Sequence, residues 1–202
     1  SRFTGRRKYE AEMILSVCPN PSVDCTIELD TLKTGSLNRV ENKVITYSGK
    51  ALNVAVGVAR LGGDSVATGF MFDDNGKMFV HALDDEGVKN TFVWNKGGAR
   101  TNYKIVDKRS MMTEINDKGE PVAEKEQEEL LDLVGTLSQQ ASVVVMSGSL
   151  PSGVGDDYYL RLSERIPKNV KKIFDVTGDR LVNALKGGAY LVKPNLDELK
   201  EV

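Results

Sequence analysis

The stretch "SVVVMSGSLPSGVGDDYYLRLSERIPKNVKKIFDVTG", residues 142–178, decides how the rest of the chain is read. It opens on a continuous apolar run, "SVVVMSG" (142–148), and enters a loop rich in Ser, Gly and Pro. Residues 156–166 read as a helix, and "KKIFDVTG" (171–178) returns to an apolar run. A short apolar run bounded by turn residues is the pattern of a strand buried on both faces. Strand, helix and strand in that order predict a crossover between parallel neighbours.

Working outward, the alternation continues. "GDRLVNALKGG" (178–188) predicts a helix, "AYLVKPN" (189–195) a strand and "LDELKEV" (196–202) the start of another helix. Upstream, "EKEQEELLDLVGTLSQQ" (124–140) predicts an amphipathic helix whose acidic first turn suits the positive end of the helix dipole. Its "EKEQEE" run reads as a solvated face. "MILSVC" (13–18) and "SVATGF" (65–70) add buried strands, and "KMFVHALDDEG" (77–87) a helix closed by glycine. Between them, Ala51–Leu61 predicts a helix that is apolar almost all round and ends at Gly62-Gly63. The fold class expected is α/β: a three-layer sandwich with a mainly parallel sheet and helices on both faces.

Two regions break the alternation. "VDCTIELD" (23–30) and "VENKVITYS" (40–48), then "TFVW", "NYKIVD" and "SMMTEI" within 91–115, read as half-exposed strands. They predict a small β-sheet outside the main layer, at about 23–47 and 91–110. Ser1–Glu12 is polar and unpatterned, so it is expected to be an appended leader or a disordered arm, with Met13 as the natural start.

The chain has 202 residues, with 27 basic and 29 acidic side chains. This balance argues against nucleic acid as the main partner. No apolar run reaches the length of a membrane span. Cys18 and Cys25 are too few for a disulfide framework and lack metal-ligand spacing, so they are expected as free buried thiols of a cytoplasmic protein.

In open parallel sheets, ligands bind at the carboxyl ends of strands. Three such ends carry polar residues here: "PNPSVD" with Asn20 and Asp24, "SGSLPSG", and "KPNLDE". A fourth polar feature is "YSGKALN", where Gly49, Lys50 and Asn53 sit at a helix start. Free backbone N–H groups and the helix dipole attract anions there. Glycine lets the backbone approach a ligand, and an asparagine amide suits hydroxyls. These residues fit a phosphorylated or hydroxyl-rich small molecule, and equally a capped turn beside a surface lysine. Arg100, after Gly97-Gly98, suits either a phosphate fork or an exposed turn. Asn195 and Glu198, three apart, suit a metal-bound water shell or a helix cap close to a capping box. His81, the only histidine, lies inside a predicted helix with no triad or metal set around it, and reads as structural or surface.

The fragments "NPSVD", "SGKALNVAVGVARLGG", "ARTNYKI", "TEIN", "SGSLPSG", "DVTG" and "LVKPNLDEL" occur here in this order. In that order they resemble ribokinase-like sugar kinases of the phosphofructokinase B type, closest to the subgroup of 1-phosphofructokinase and tagatose-6-phosphate kinase. The resemblance runs from Met13 to Val202. It implies a ribokinase-like sandwich whose β-sheet lid closes over the sugar and often pairs in a homodimer. It implies ATP and Mg2+ as cofactors and fructose 1-phosphate as the substrate, phosphorylated at C6 to fructose 1,6-bisphosphate. Tagatose 6-phosphate kinase activity and a non-catalytic sugar-phosphate-binding protein of the same fold are the alternatives. By resemblance, Asp24, Gly49 and Asn53 bind sugar hydroxyls, while Lys50 and Arg100 hold the existing phosphate, joined by Arg39 from a partner's lid. Ser147 touches the sugar phosphate, Lys193 and Asn195 lie near the ATP phosphates, and Asn195, Glu198 and Asp175 order the magnesium shell through water. The sequence departs from the family's "GGKG" pattern at Ser48 and Ala51. The family's catalytic Asp, in a "GAGD" segment, would fall beyond Val202. The chain is therefore expected to be the N-terminal portion of the kinase fold, inactive alone.

Overall fold

The computed structural model describes residues 12–194. Asn195 and Glu198 lie outside the described residues, as do residues 1–11 of the expected leader.

Strands β1 (Met13–Cys18), β4 (Ser65–Phe72), β9 (Ala141–Ser147), β10 (Lys171–Asp175) and β11 (Leu191–Val192) form a parallel sheet in the order β11-β10-β9-β1-β4. Two short strands, β5 (Lys89–Asn90) and β6 (Val93–Asn95), both pair with β4. Helices α1 (Lys50–Arg60) and α2 (Gly76–Asp85) precede and follow β4. Helices α3 (Glu124–Leu137), α4 (Tyr158–Arg165) and α5 (Asp179–Lys186) alternate with the last strands.

Register tells which helix covers which face. Val17, Thr68, Met146 and Phe174 share one face of the sheet, and Tyr159 of α4 meets Phe174 edge-on with ring centroids 6.4 Å apart. The opposite face carries Ser16 and Cys18, and Cys18 lies under the start of α1. The predicted three-layer sandwich is therefore present. Central strands buried on both faces explain why their sequences lack alternation: Leu15, Val17, Val144 and Met146 are almost fully buried, and so is Ser16.

The second sheet has the order β3-β2-β7-β8, from β2 (Ser22–Leu29), β3 (Asn42–Ser48), β7 (Arg100–Asp107) and β8 (Met112–Asn116). Strands β2 and β7 are parallel, and β3 and β8 pair antiparallel outside them. The small sheet expected outside the main layer is thus found, with one correction. The "TFVW" segment, placed with it from sequence, contributes β6 to the large sheet instead. Val93 is buried there while Trp94 is half exposed, so the alternation is that of an edge strand of the core. The second segment of the small sheet begins only at Arg100.

Two further expectations need correction. Helix α1 buries Ala51, Leu52 and Ala55, but Val54, Val56 and Val58 are only half-buried and Asn53 is exposed, so its apolar girth is not enclosed on all sides. In α3, Gln127 is not on a solvated face. It is buried, and its Nε2 donates to the carbonyls of Val122 and Gly153 at 2.9 and 3.1 Å. The other "EKEQEE" position with a defined partner, Glu128, faces α4 and pairs with Arg161. His81 is exposed on α2, and Cys18 and Cys25 are free and buried, as expected. No helix among the described residues is long and apolar enough to cross a membrane.

Candidate functional site

The chain leaves the large sheet after β1, turns through Pro19-Asn20-Pro21 into β2 of the small sheet, and returns along β3 to enter α1 at Gly49. This path brings the carboxyl ends of β1, β9 and β10 under one face of the small sheet. A cleft of about 570 Å3 lies between them.

Its floor is built on the strand ends. Gly49 packs on Cys18: a Cβ there would stand 2.6 Å from Cys18 Sγ, so the helix start can settle onto the sheet only without a side chain. Gly69, with φ near 151°, has the same role more severely, since a Cβ would come within 1.9 Å of the Cys18 carbonyl oxygen. Burial pushes the Cys18 thiol up to about 11, although backbone N–H groups of Leu52, Asn20 and Ala51 pull the other way. The thiol is therefore neutral in the native protein at ordinary pH.

Beside it, Asp175 ends β10 next to Ser147 of β9. Ser147 Oγ donates to Asp175 Oδ2 at 3.2 Å and to the Asp175 carbonyl at 3.1 Å. Asp175 Oδ1 lies 3.4 Å from Lys193 Nζ and 3.9 Å from Lys50 Nζ. One carboxylate thus stands between two ammonium groups, both more than half exposed, and these pairs are worth little stability. Asn20, itself buried, donates from Nδ2 to Ser149 Oγ at 3.0 Å and ties the β1 loop to the β9 loop.

The roof is a polar ladder on the small sheet. Strand pairing sets Asp24 beside Asn102, and Asn102 beside Asn116. Asn102 Nδ2 donates to Asp24 Oδ1 at 3.0 Å, Ser22 Oγ donates to the same oxygen at 3.2 Å, and Arg100 Nη1 donates to Asn102 Oδ1 at 3.0 Å. Arg100 Nε is buried without a partner. At the helix mouth, Asn53 Nδ2 donates to Ser48 Oγ at 3.2 Å.

Of the candidate residues named from the sequence, Asp24, Gly49, Lys50, Asn53, Arg100 and Asp175 line this one cleft. Ser147 does not. It is fully buried with its hydroxyl turned to Asp175, and Ser149, two residues on, lines the cleft in its place. Strand β9 ends at Ser147, and Gly148 with φ near 113° turns the backbone there, so the two serines do not keep the common side that a continuous strand would give them. Arg39 is exposed and is not among the lining residues. Lys193 reaches the site through Asp175 rather than by lining it.

Sequence reasoning missed Asn102, Lys104, Glu114, Asn116 and Arg180, all of which line the cleft. The signal was present in "RTNYK" and "TEIN", where every second residue is polar. Period two gathers Arg100, Asn102 and Lys104 on one face, and Glu114 with Asn116 on the same face of the neighbouring strand.

Chemically, the cleft offers hydroxyl-binding carboxylate and amides flanked by four cations, Lys50, Arg100, Lys104 and Arg180. Among the described residues no group of three or more acidic, His or Cys side chains could hold a metal alone. Asp175 supplies one carboxylate, which fits a magnesium ion that keeps most of its waters.

Comparison with known proteins agrees with this chemistry. The profile of the family described as pfkB family carbohydrate kinase matches residues 20–202. A 1-phosphofructokinase of Borreliella burgdorferi is 35% identical over 190 residues, covering 94% of this chain and 61% of the relative. A tagatose-6-phosphate kinase of Staphylococcus epidermidis is 34% identical over 195 residues, covering 94% of this chain and 62% of the relative. The crystal structure of phosphofructokinase-2 from Escherichia coli in complex with fructose-6-phosphate superposes with a TM-score of 0.85 at 29% identity, over 94% of this chain and 63% of that one. The chain thus spans about three fifths of the length of these relatives.

Proposed function

The chain belongs to the pfkB family of carbohydrate kinases, and on that premise we propose that it carries the sugar-phosphate site of a kinase that moves the γ-phosphoryl group of ATP to the C6 hydroxyl of fructose 1-phosphate. The observation that carries this reading is the convergence of Asp24, Asn53, Lys50 and Arg100 on one cleft at the carboxyl edge of a parallel sheet.

In this reading Asp24 accepts hydrogen bonds from sugar hydroxyls, held in place by Asn102 and Ser22. The Asn53 amide reads a further hydroxyl at the helix mouth, where Gly49 lines the cleft. Lys50 and Arg100 neutralise the phosphate already on the sugar. Arg39 contributes from a partner's small sheet. Phosphoryl transfer asks mainly for positioning and charge neutralisation, and the cleft supplies both.

On the nucleotide side, Lys193 would stand near the ATP phosphates, with Asn195. Asp175, Asn195 and Glu198 would hold magnesium through water. Bound magnesium neutralises charge on the phosphate oxygens. Until then Asp175 has Lys50 and Lys193 as its counter-charges.

The small sheet also supports a homodimer. Its face away from the cleft carries Ile45, Tyr103 and Ile115 in one register row, each substantially exposed. A two-sided sheet this thin does not enclose a core, and a second copy would cover that row.

Isothermal titration calorimetry with fructose 1-phosphate and with unphosphorylated fructose tests the site. The sugar phosphate is expected to bind at least about tenfold more tightly, the effect of one charge-assisted contact or more. Equal affinities would sink the reading. Tagatose 6-phosphate titrated alongside decides between the two activities named for the relatives, and tighter binding of tagatose 6-phosphate would reverse the order.

A further inference from the structure

On the cleft face of the small sheet, Arg100, Asn102 and Lys104 occupy alternate positions of β7. Arg100 does not stand upright. Its Nη1 reaches Asn102 Oδ1, so the guanidinium leans along the strand toward Lys104. The Arg100 and Lys104 Cα atoms are about 13 Å apart at the usual rise of a strand. Two long side chains leaning toward each other over Asn102 can close that span around one anion.

The other cations near the cleft already have carboxylate neighbours. Lys50 and Lys193 share Asp175, and Arg180 lies 3.8 Å from Asp156. Among the described residues no carboxylate stands within 4.0 Å of the Lys104 ammonium. Its cross-strand partner Glu114 lines the same wall without pairing to it. Lys104 is half-buried and lines the cleft.

We propose that Lys104 completes the phosphate clamp, acting with Arg100 above Asn102 to hold the substrate's phosphomonoester. This proposal rests on the sugar-phosphate reading above and deepens it. Lys104 then determines selection of phosphorylated over free sugar. Glu114 sharpens the selection, because a carboxylate in the same wall repels any anion that Lys104 does not neutralise. The clamp residues and the hydroxyl reader Asp24 are joined by hydrogen bonds through Asn102, so phosphate and sugar ring are recognised by one connected unit.

The test is calorimetric titration of the unsubstituted chain and of Lys104→Met, Lys104→Arg and Glu114→Gln with fructose 1-phosphate, fructose and inorganic phosphate. Melting curves confirm that each variant is folded. Lys104→Met is expected to weaken fructose 1-phosphate and inorganic phosphate by about tenfold or more while leaving fructose unchanged, as loss of one charge-assisted contact requires. Lys104→Arg should restore most of the affinity, and Glu114→Gln should tighten both anions. Undiminished fructose 1-phosphate binding by a folded Lys104→Met overturns the role of Lys104 and leaves the sugar-phosphate site standing. Failure of the unsubstituted chain to prefer fructose 1-phosphate over fructose overturns both.

Discussion

In the large sheet, Leu15, Val17, Val144 and Met146 are shut away from water, whereas in the small sheet Val44, Met112 and Ile115 keep half or more of their surface exposed. Both regions contain β-branched residues in extended conformation, but the small-sheet strands interleave them with charged and amide residues where β1, β4 and β9 have none. The difference in composition follows a difference in support. The large sheet has helices on both faces, while the small one has the core only at its base, where Tyr47 meets Phe79 with ring centroids 5.2 Å apart. One region holds the fold together. The other holds little beyond its own hydrogen bonds, and it can therefore devote the part of one face that borders the cleft to polar residues.

That contrast is broken or sharpened by four measurements. The largest effect is expected from Gly69→Ala in the large sheet, because its Cβ would overlap backbone atoms of Cys18 rather than a side chain that can rotate away. Urea denaturation should show a loss of at least about 3 kcal/mol, or no folded protein at all. Near-normal stability would mean that the strand ends under the cleft are looser than their packing indicates.

Next comes the pH response of the same spot. Burial raises the Cys18 thiol from an ordinary value of 9.0 to about 11. The neutral thiol is favoured by folding, so its contribution is intact below pH 9 and is lost as pH rises from 9 toward 11. Over that window the unsubstituted protein should lose up to about 2–3 kcal/mol more than Cys18→Ala, at 1.36 kcal/mol per unit. The stability–pH curves of the two proteins, measured by urea unfolding, should diverge only above pH 9. Parallel curves would contradict the enclosure of Cys18.

In the small sheet the order of effects reverses. Asp24→Ala removes the acceptor shared by Asn102 and Ser22. Calorimetry should show fructose 1-phosphate weakened by about tenfold or more, while the melting temperature shifts by only a few degrees, as for a partly exposed hydrogen-bonded group. The smallest effect on stability is expected from Ile115→Arg on the far face, within about 0.5 kcal/mol by urea unfolding of dilute protein. If a second copy covers that face, sedimentation velocity of the same variant should show a shift from dimer to monomer. A dimer that persists would place the contact elsewhere.

The large sheet was legible because burial on both faces leaves a strong mark in sequence, as in "MILSVC" and "SVVVMSG". The strand–helix alternation then allowed one architecture. Much of the candidate site was legible for a related reason: a lysine and an amide at the start of an apolar helix have few structural uses, and Lys50 and Asn53 do line the cleft. Lys104 and Glu114 were not picked out, because a charged residue in a half-exposed strand is ordinary until its partner strand is known. Ser147 was named from the resemblance alone, and that Ser149 lines the cleft while Ser147 turns to Asp175 depends on side-chain direction, which the sequence does not carry.

By itself, the order of apolar runs and turns determined the layers of this protein and the edge of the sheet on which its polar loops collect, since burial and periodicity are local properties of a chain. Tertiary structure alone decided which polar side chains share a cleft. Register between β2, β7 and β8 sets Asp24, Asn102 and Asn116 side by side, and register is a relation between segments distant in sequence, fixed only when they pair.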